Sequence, residues 1–100
     1  MPSLTQVFTG KTPTIYNKTM TLANTEYSQA LPKGTKKVLI KERSGADIIK
    51  LAYAVNQSGT TYITIPIGSS KYLEGVWLSE TTLYFQCPTA GLVLEIEVWQ

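Results

Sequence analysis

Two glutamates near the end of the chain have a spacing that could serve catalysis. Glu95 and Glu97 lie two residues apart, so both side chains project from one face of a strand. Paired carboxylates are what glycoside hydrolysis requires, and carboxylate oxygens also ligate Ca²⁺. The two acids alternate with Leu94, Ile96 and Val98, a pattern typical of a strand with one solvated face. We therefore favour a structural role, with the glutamates facing lysines across the sheet.

The other reactive groups lack the partners that catalysis needs. The chain contains no histidine, the usual base for a serine or cysteine nucleophile. Cys87 is the single cysteine and lies in a predicted buried strand, where a free thiol acts as a small apolar side chain. Asp47, close to Glu42 and Arg43, is expected to cap a turn, because the regular ligand spacing of a calcium loop is missing. We predict a protein that is not an enzyme, with no catalytic residue, cofactor or metal.

Charge and hydropathy argue against nucleic acid and membrane as partners. Nine basic and seven acidic residues give a net charge of +2. The local basic cluster comprises Lys33, Lys36, Lys37, Lys41 and Arg43. Alternation places the last three on one strand face, which indicates a solvated surface more than a phosphate-binding stripe. No apolar run approaches the ~18–20 residues of a membrane span, and no secretion signal is recognised. The free thiol and the lack of disulfides favour synthesis in the cytoplasm.

The aromatic residues suggest an alternative function from a different class. The chain has six tyrosines and two tryptophans, namely Tyr16, Tyr27, Tyr53, Tyr62, Tyr72, Tyr84, Trp77 and Trp99. Exposed aromatic rings on a β-sandwich can stack on sugars, as in carbohydrate-binding modules. Because these rings are spread over nearly every predicted strand, we expect most of them in the core or in protein interfaces. A glycan is therefore a less favoured partner.

Short strands separated by turns account for most of the chain. With 100 residues, of which 43% are hydrophobic, the chain has the size of one domain. The predicted strands cover residues 15–23, 26–31, 37–43, 48–55, 60–67, 71–78, 81–87 and 92–99. Residues 47–52 also fit a helical turn, and residues 71–78 fit either two short strands or one strand with a bulge near Gly75. Seven or eight short strands predict an all-β, antiparallel β-sandwich of jelly-roll or Ig-like type over residues 15–100.

The strand register predicts a core shared by two facing sheets. Its expected members are Val38, Ile40, Ile63, Ile65, Leu83, Phe85, Leu94 and Ile96. They occupy the alternate positions that point to one side of each predicted strand.

Residues 1–14 have the composition of an extended N-terminal arm. Proline and glycine interrupt regular structure there, yet the segment carries the apolar residues Leu4, Val7 and Phe8. Exposure of this apolar area to water is unfavourable, so we expect the arm to dock. The sequence leaves two alternatives for where the arm docks. It binds a neighbouring chain, with these three residues as the partner interface, or it covers the edge of its own sandwich.

Several turn and strand patterns resemble a known group of proteins. They are the run from Ala23 to Lys37, the segment Tyr62 to Pro66 followed by Gly68, Tyr72 and Glu74, Ala90-Gly91, and Glu95 to Trp99. Together they are similar to small, mostly uncharacterised proteins encoded among the structural genes of tailed bacteriophages. The resemblance spans most of residues 23–100 and does not include the arm.

The resemblance implies a β-sandwich component of a virion and carries over no active-site residue. Within that class we expect a capsid-associated decoration or cement protein, made in the host cytoplasm and acting in the virion. Its partners would be other virion proteins, and it would form a homo-oligomer. A tail, collar or fibre component is the alternative within the class.

Overall fold

Eight strands and one short 3₁₀ helix form the regular structure of residues 12–100, the part of the chain that this computed structural model describes. The strands are β1 (Thr14–Met20), β2 (Tyr27–Ala30), β3 (Lys37–Glu42), β4 (Ile49–Ala52), β5 (Ile63–Ile65), β6 (Ser70–Glu74), β7 (Thr82–Gln86) and β8 (Leu92–Trp99). The 3₁₀ helix, Val76–Leu78, follows β6. The all-β prediction is confirmed, and the first strand begins at Thr14, the last residue assigned to the arm.

The strands form two antiparallel sheets of four. Sheet A has the order β1-β8-β3-β6, and sheet B has the order β2-β7-β4-β5. The pairs β1·β8, β2·β7, β3·β6 and β4·β5 are those of one long hairpin folded at the β4–β5 connection. The pairs β3·β8 and β4·β7 then close each sheet. Each sheet thus has two outer strands, β1 and β6 in sheet A and β2 and β5 in sheet B.

A single apolar core fills the space between the two sheets. Sheet A contributes Val38, Ile40, Leu73, Leu94, Ile96 and Val98, and sheet B contributes Ile49, Leu51, Ile65, Leu83 and Phe85. Facing residues from both sheets in one buried cluster are the defining feature of a sandwich. No helix among residues 12–100 has the length and apolar character required to cross a membrane.

The predicted core is confirmed at seven of its eight positions. All but Ile63 are at most 2% exposed. Ile63 points to the same side as Leu51 and Ile65, so the strand register is right. Its side chain is nevertheless 43% exposed, because β5 is an outer strand that pairs only with β4 among the described strands. The expectation that Ile63 is buried was therefore wrong.

Several strands are shorter than expected: β1 ends at Met20, β4 ends at Ala52, and β5 covers only Ile63–Ile65. Residues 71–78 are β6 followed by the 3₁₀ helix, with Gly75 between them at φ +143°, so the chain turns instead of bulging. Residues 60–62 belong to the loop after β4, because the amides of Thr60 and Thr61 bond to the Gln57 carbonyl and cannot pair in the sheet. The run around Ile49–Ala52 is a strand, as preferred over the helical alternative.

Candidate binding surfaces

The predicted partner interface lies outside the described part of the chain. Leu4, Val7 and Phe8 precede residue 12, where the description begins. Their docking onto a neighbouring chain stays a prediction.

The outer face of sheet A carries paired charges and no free carboxylate dyad. Glu95 on β8 accepts a hydrogen bond from Arg43 Nε at 3.0 Å, and Lys41 Nζ lies 3.8 Å from its other oxygen. Glu97 lies between Ile15 of β1 and Leu39 of β3 in the register of the sheet. The two glutamates thus face a solvated surface, and the expected pairing with cations is confirmed for Glu95.

Glu26 holds the loop between β4 and β5 in place. Its carboxylate accepts bonds from the amides of Asn56 (2.7 Å) and Ser58 (3.0 Å) and from the Ser58 hydroxyl. The fully buried Ser58 oxygen in turn accepts a bond from Gln86 Nε2 on β7. Burial opposes ionisation of Glu26, but these hydrogen bonds outweigh it and lower the pKa of the carboxyl.

Two further carboxylates, of Glu42 and Asp47, accept hydrogen bonds in the connection between β3 and β4. Glu42, 8% exposed, accepts bonds from the amides of Ser44 and Ala46 and from the Ser44 hydroxyl. Burial opposes its ionisation, yet the hydrogen bonds dominate and lower its pKa. Asp47 accepts bonds from the Thr89 hydroxyl and the Ile48 amide, which lower its pKa. The turn-capping role expected of Asp47 is confirmed.

Cys87 is fully buried and unsuited to nucleophilic chemistry. Burial raises the pKa of its thiol, and the charges of Asp47 and Glu42 act in the same direction. The thiolate is the reactive form of cysteine, so the surroundings of Cys87 keep it unreactive.

An open groove with an aromatic lining lies beside β5. It has a volume of about 390 Å³. Its lining consists of Leu51, Ala52, Tyr53, Thr61, Tyr62, Ile63 and Lys71, and we call it the aromatic groove. Tyr53 and Tyr62 are 42% and 41% exposed, so both rings remain accessible to a ligand. The groove combines exposed rings, hydroxyl groups and one cation.

Trp77 extends this aromatic surface in a fixed orientation. Its ring meets Tyr53 edge-on, with 5.7 Å between ring centroids and 84° between the ring planes. The indole also lies against the backbone of Gly75, where a Cβ atom would come within 2.6 Å of the ring. Because no other residue would leave this space free, Gly75 determines where the half-exposed Trp77 lies.

Sequence reasoning found some of these features and missed others. Tyr16 and Tyr27 pack against the core, as expected for some of the rings. Tyr53, Tyr62 and Trp77 are exposed and lie outside the core, so a place for them in protein interfaces stays a prediction. The Glu26 anchor was missed because its partners lie 30 and 32 residues away. Gly75 two residues before Trp77 was a usable signal, but residues 71–78 were interpreted as two short strands or as one strand with a bulge.

A metal site or a similarity to known proteins could also indicate a function. Among residues 12–100, no group of three or more Cys, Asp or Glu side chains is arranged to hold a metal ion. Comparison with protein-family models, with curated proteins and with solved structures finds no match to this chain.

Proposed function

We propose that the protein is a non-enzymatic structural subunit of a phage particle, bound to the capsid as a decoration or cement protein. The observation that carries the proposal is the strand order, β1-β8-β3-β6 facing β2-β7-β4-β5. We assign it to the jelly roll, the eight-stranded sandwich that recurs in viral capsid domains. An Ig-like sandwich is disfavoured because it would pair the first two strands in one sheet, whereas here they lie in different sheets. The resemblance of residues 23–100 to phage structural proteins supports the same class.

The state of the carboxylates and the thiol supports a role without catalysis. Glu26, Glu42 and Asp47 accept hydrogen bonds that hold loops and turns. Glu95 is in ion pairs, and Cys87 is buried with a raised thiol pKa. Each of these groups has a structural function already. The protein then acts by contact: the arm buries Leu4, Val7 and Phe8 on a neighbour, and symmetry repeats the contact over many equivalent sites.

The test is the location of the chain in purified particles. We expect it in virions at a copy number in fixed proportion to the major capsid protein, with density for the sandwich on the outer capsid surface in a cryo-EM reconstruction. Absence of the chain from purified particles would refute the virion role. Density in the tail, collar or fibre instead would replace the capsid assignment by the alternative within the class.

A second measurement addresses the absence of catalysis. The double variant Glu95→Gln, Glu97→Gln is expected to fold and to join particles like the unmodified chain, because both side chains lie on a solvated sheet face. A glycoside-hydrolase turnover in the unmodified protein that disappears in this variant would overturn the structural role.

A further inference from the structure

The aromatic groove lies beside two outer strands, one from each sheet. Ile63 belongs to β5, the outer strand of sheet B, and Lys71 belongs to β6, the outer strand of sheet A. Both residues line the groove, so it opens between the free edges of the two sheets. Leu51 forms part of its lining and also belongs to the core. A ligand in this groove would contact strand residues together with Tyr53, Thr61 and Tyr62 of the β4–β5 loop. Glu26 anchors that loop through the amides of Asn56 and Ser58.

The rings at the groove are held before any ligand arrives. Trp77 is held between Gly75 and the edge contact with Tyr53. Tyr62 packs under Lys50, whose Nζ lies 5.1 Å from the ring centroid, at a distance typical of a cation–π contact. Rings that are already oriented lose little conformational entropy on binding, which favours affinity.

The charge of the groove selects the kind of ligand. Among the described residues that line it, Lys71 is the charged one and none is acidic. Lys50 of β4 lies outside the lining, with its ammonium group over the Tyr62 ring. The polar groups of the lining include the hydroxyls of Thr61, Tyr53 and Tyr62, which can both donate and accept hydrogen bonds. The occupant that complements this set has an apolar face, several hydroxyls and a negative charge.

We propose that the aromatic groove binds an acidic carbohydrate, an oligosaccharide whose sugar units carry a carboxylate. A pyranose ring presents a face of C–H groups that packs on exposed tyrosine and tryptophan rings. Its hydroxyls match those of Thr61 and the tyrosines, and its carboxylate pairs with the Lys71 ammonium group. The inference goes beyond the particle role, since a virion subunit without glycan affinity would leave that role intact.

Single-stranded nucleic acid is the competing ligand, because bases also stack on aromatic rings beside cations. Such binding uses a positively charged track along the backbone of the strand. Two lysines near one groove do not form a track, and Arg43 and Lys41 are engaged with Glu95 on the outer face of sheet A. The observations therefore favour the carbohydrate, and an oligothymidylate serves as a probe for the competing class.

The experiment uses the full chain on an array of uronic-acid, sialic-acid and neutral oligosaccharides. It is followed by titration with oligogalacturonate, its methyl ester and oligothymidylate, observed by tryptophan fluorescence and NMR. We expect binding to acidic glycans on the array, and binding of the free acid above that of the ester. Resonance shifts should centre on Tyr53, Tyr62 and Trp77.

Matched variants separate the groove from a general charge effect. Lys71→Met should weaken oligogalacturonate binding by roughly tenfold or more, and Lys71→Arg should restore much of it. Lys37→Met is the control, because Lys37 is an exposed lysine on the inner strand β3 of sheet A and lies outside the groove. Trp77→Ala should weaken binding of acid and ester alike.

The proposal fails if the array shows no acidic glycan bound, or if Lys71→Met and Lys37→Met have the same effect on affinity. Preference for oligothymidylate over every acidic glycan would assign the groove to nucleic acid instead. Equal affinity for the free acid and the methyl ester would remove the role of the carboxylate and contradict the charge argument.

Discussion

Ile63 and Ile65 are the same residue type on the same inner side of β5, yet their side chains differ in exposure. Ile65 is 2% exposed and Ile63 is 43% exposed. Ile65→Ala should lower the free energy of unfolding by roughly 2–5 kcal/mol, because it leaves a cavity in the shared core. Ile63→Ala should cost clearly less, because water already reaches that side chain. Urea denaturation of both variants checks the difference, and equal losses would mean that the edge of β5 is covered in solution.

Glu26 links one carboxylate to the whole β4–β5 loop. Glu26→Gln should destabilise the fold by about 1–3 kcal/mol at neutral pH, because two amides and a hydroxyl lose a charged acceptor. Glu97→Gln is the control, as Glu97 lies on the solvated face of sheet A. Urea midpoints of the two variants give the comparison, and matching midpoints would show that the Glu26 bonds add nothing.

The same carboxylates predict a loss of stability in acid. The pKa of Glu26, Glu42 and Asp47 is lowered in the folded protein. A lowered folded pKa means that the ionised group stabilises the fold above its unfolded pKa, near 4.5 for Glu and 3.8 for Asp. That contribution is lost as the pH falls through the folded pKa. Unfolding free energy should therefore decline below about pH 4.5, and less steeply in Glu26→Gln.

At the scale of elements, the turn after β6 depends on one glycine. Gly75→Ala should be destabilising and should move the Trp77 ring, since φ is +143° and the new methyl would lie 2.6 Å from the indole. Gly91→Ala is a matched control, because Gly91 also has a positive φ (+84°) but open space around its Cβ. In a Trp99→Phe background, tryptophan fluorescence reports the environment of the Trp77 ring alone. An unchanged emission spectrum in Gly75→Ala would contradict the packing of Trp77 against Gly75.

The outer strand β1 carries a charge that points inward. Lys18 alternates with Asn17 and Thr19 and shares the inner side with Tyr16 and Met20. A lysine in this position hinders another chain from pairing with the free edge. Lys18→Val should raise the fraction of oligomers and aggregates. Light scattering after size-exclusion chromatography measures the fraction of oligomers and aggregates. Lys37→Val, on the inner strand β3, is the control. If both variants form the same fraction of oligomers, Lys18 does not protect the edge of β1.

At the scale of the whole molecule, we expect the sandwich to fold without the arm and the arm to be needed for binding to the particle. Removal of residues 2–12 should leave a folded, soluble monomer that no longer joins the particle, because residues 12–100 already contain a core cluster from Met20 to Val98 drawn from both sheets. Circular dichroism and a particle-binding assay measure the two properties. Unfolding or aggregation of the truncated chain, with normal assembly of Phe8→Ala, would show that the arm belongs to the domain.

The sequence by itself determined the strands and their inner faces. Alternation of apolar and polar residues placed Leu94, Ile96 and Val98 inside and both glutamates of β8 outside, because successive side chains of a strand point to opposite faces. Glycine and proline marked most turns for a similarly local reason, since they restrict or widen the allowed backbone angles. These properties depend on near neighbours in the chain, so a linear reading can recover them.

Only the tertiary structure decided which strands are outer ones and which distant residues meet. Ile63 is exposed because β5 has one partner, a fact that its own sequence does not contain. The Glu26 anchor joins residues 30 and 32 positions apart, and the aromatic groove joins β4, β5 and β6. Both follow from how the long hairpin rolls into two sheets. Strand order is set by contacts between distant segments, and local periodicity carries no information about it.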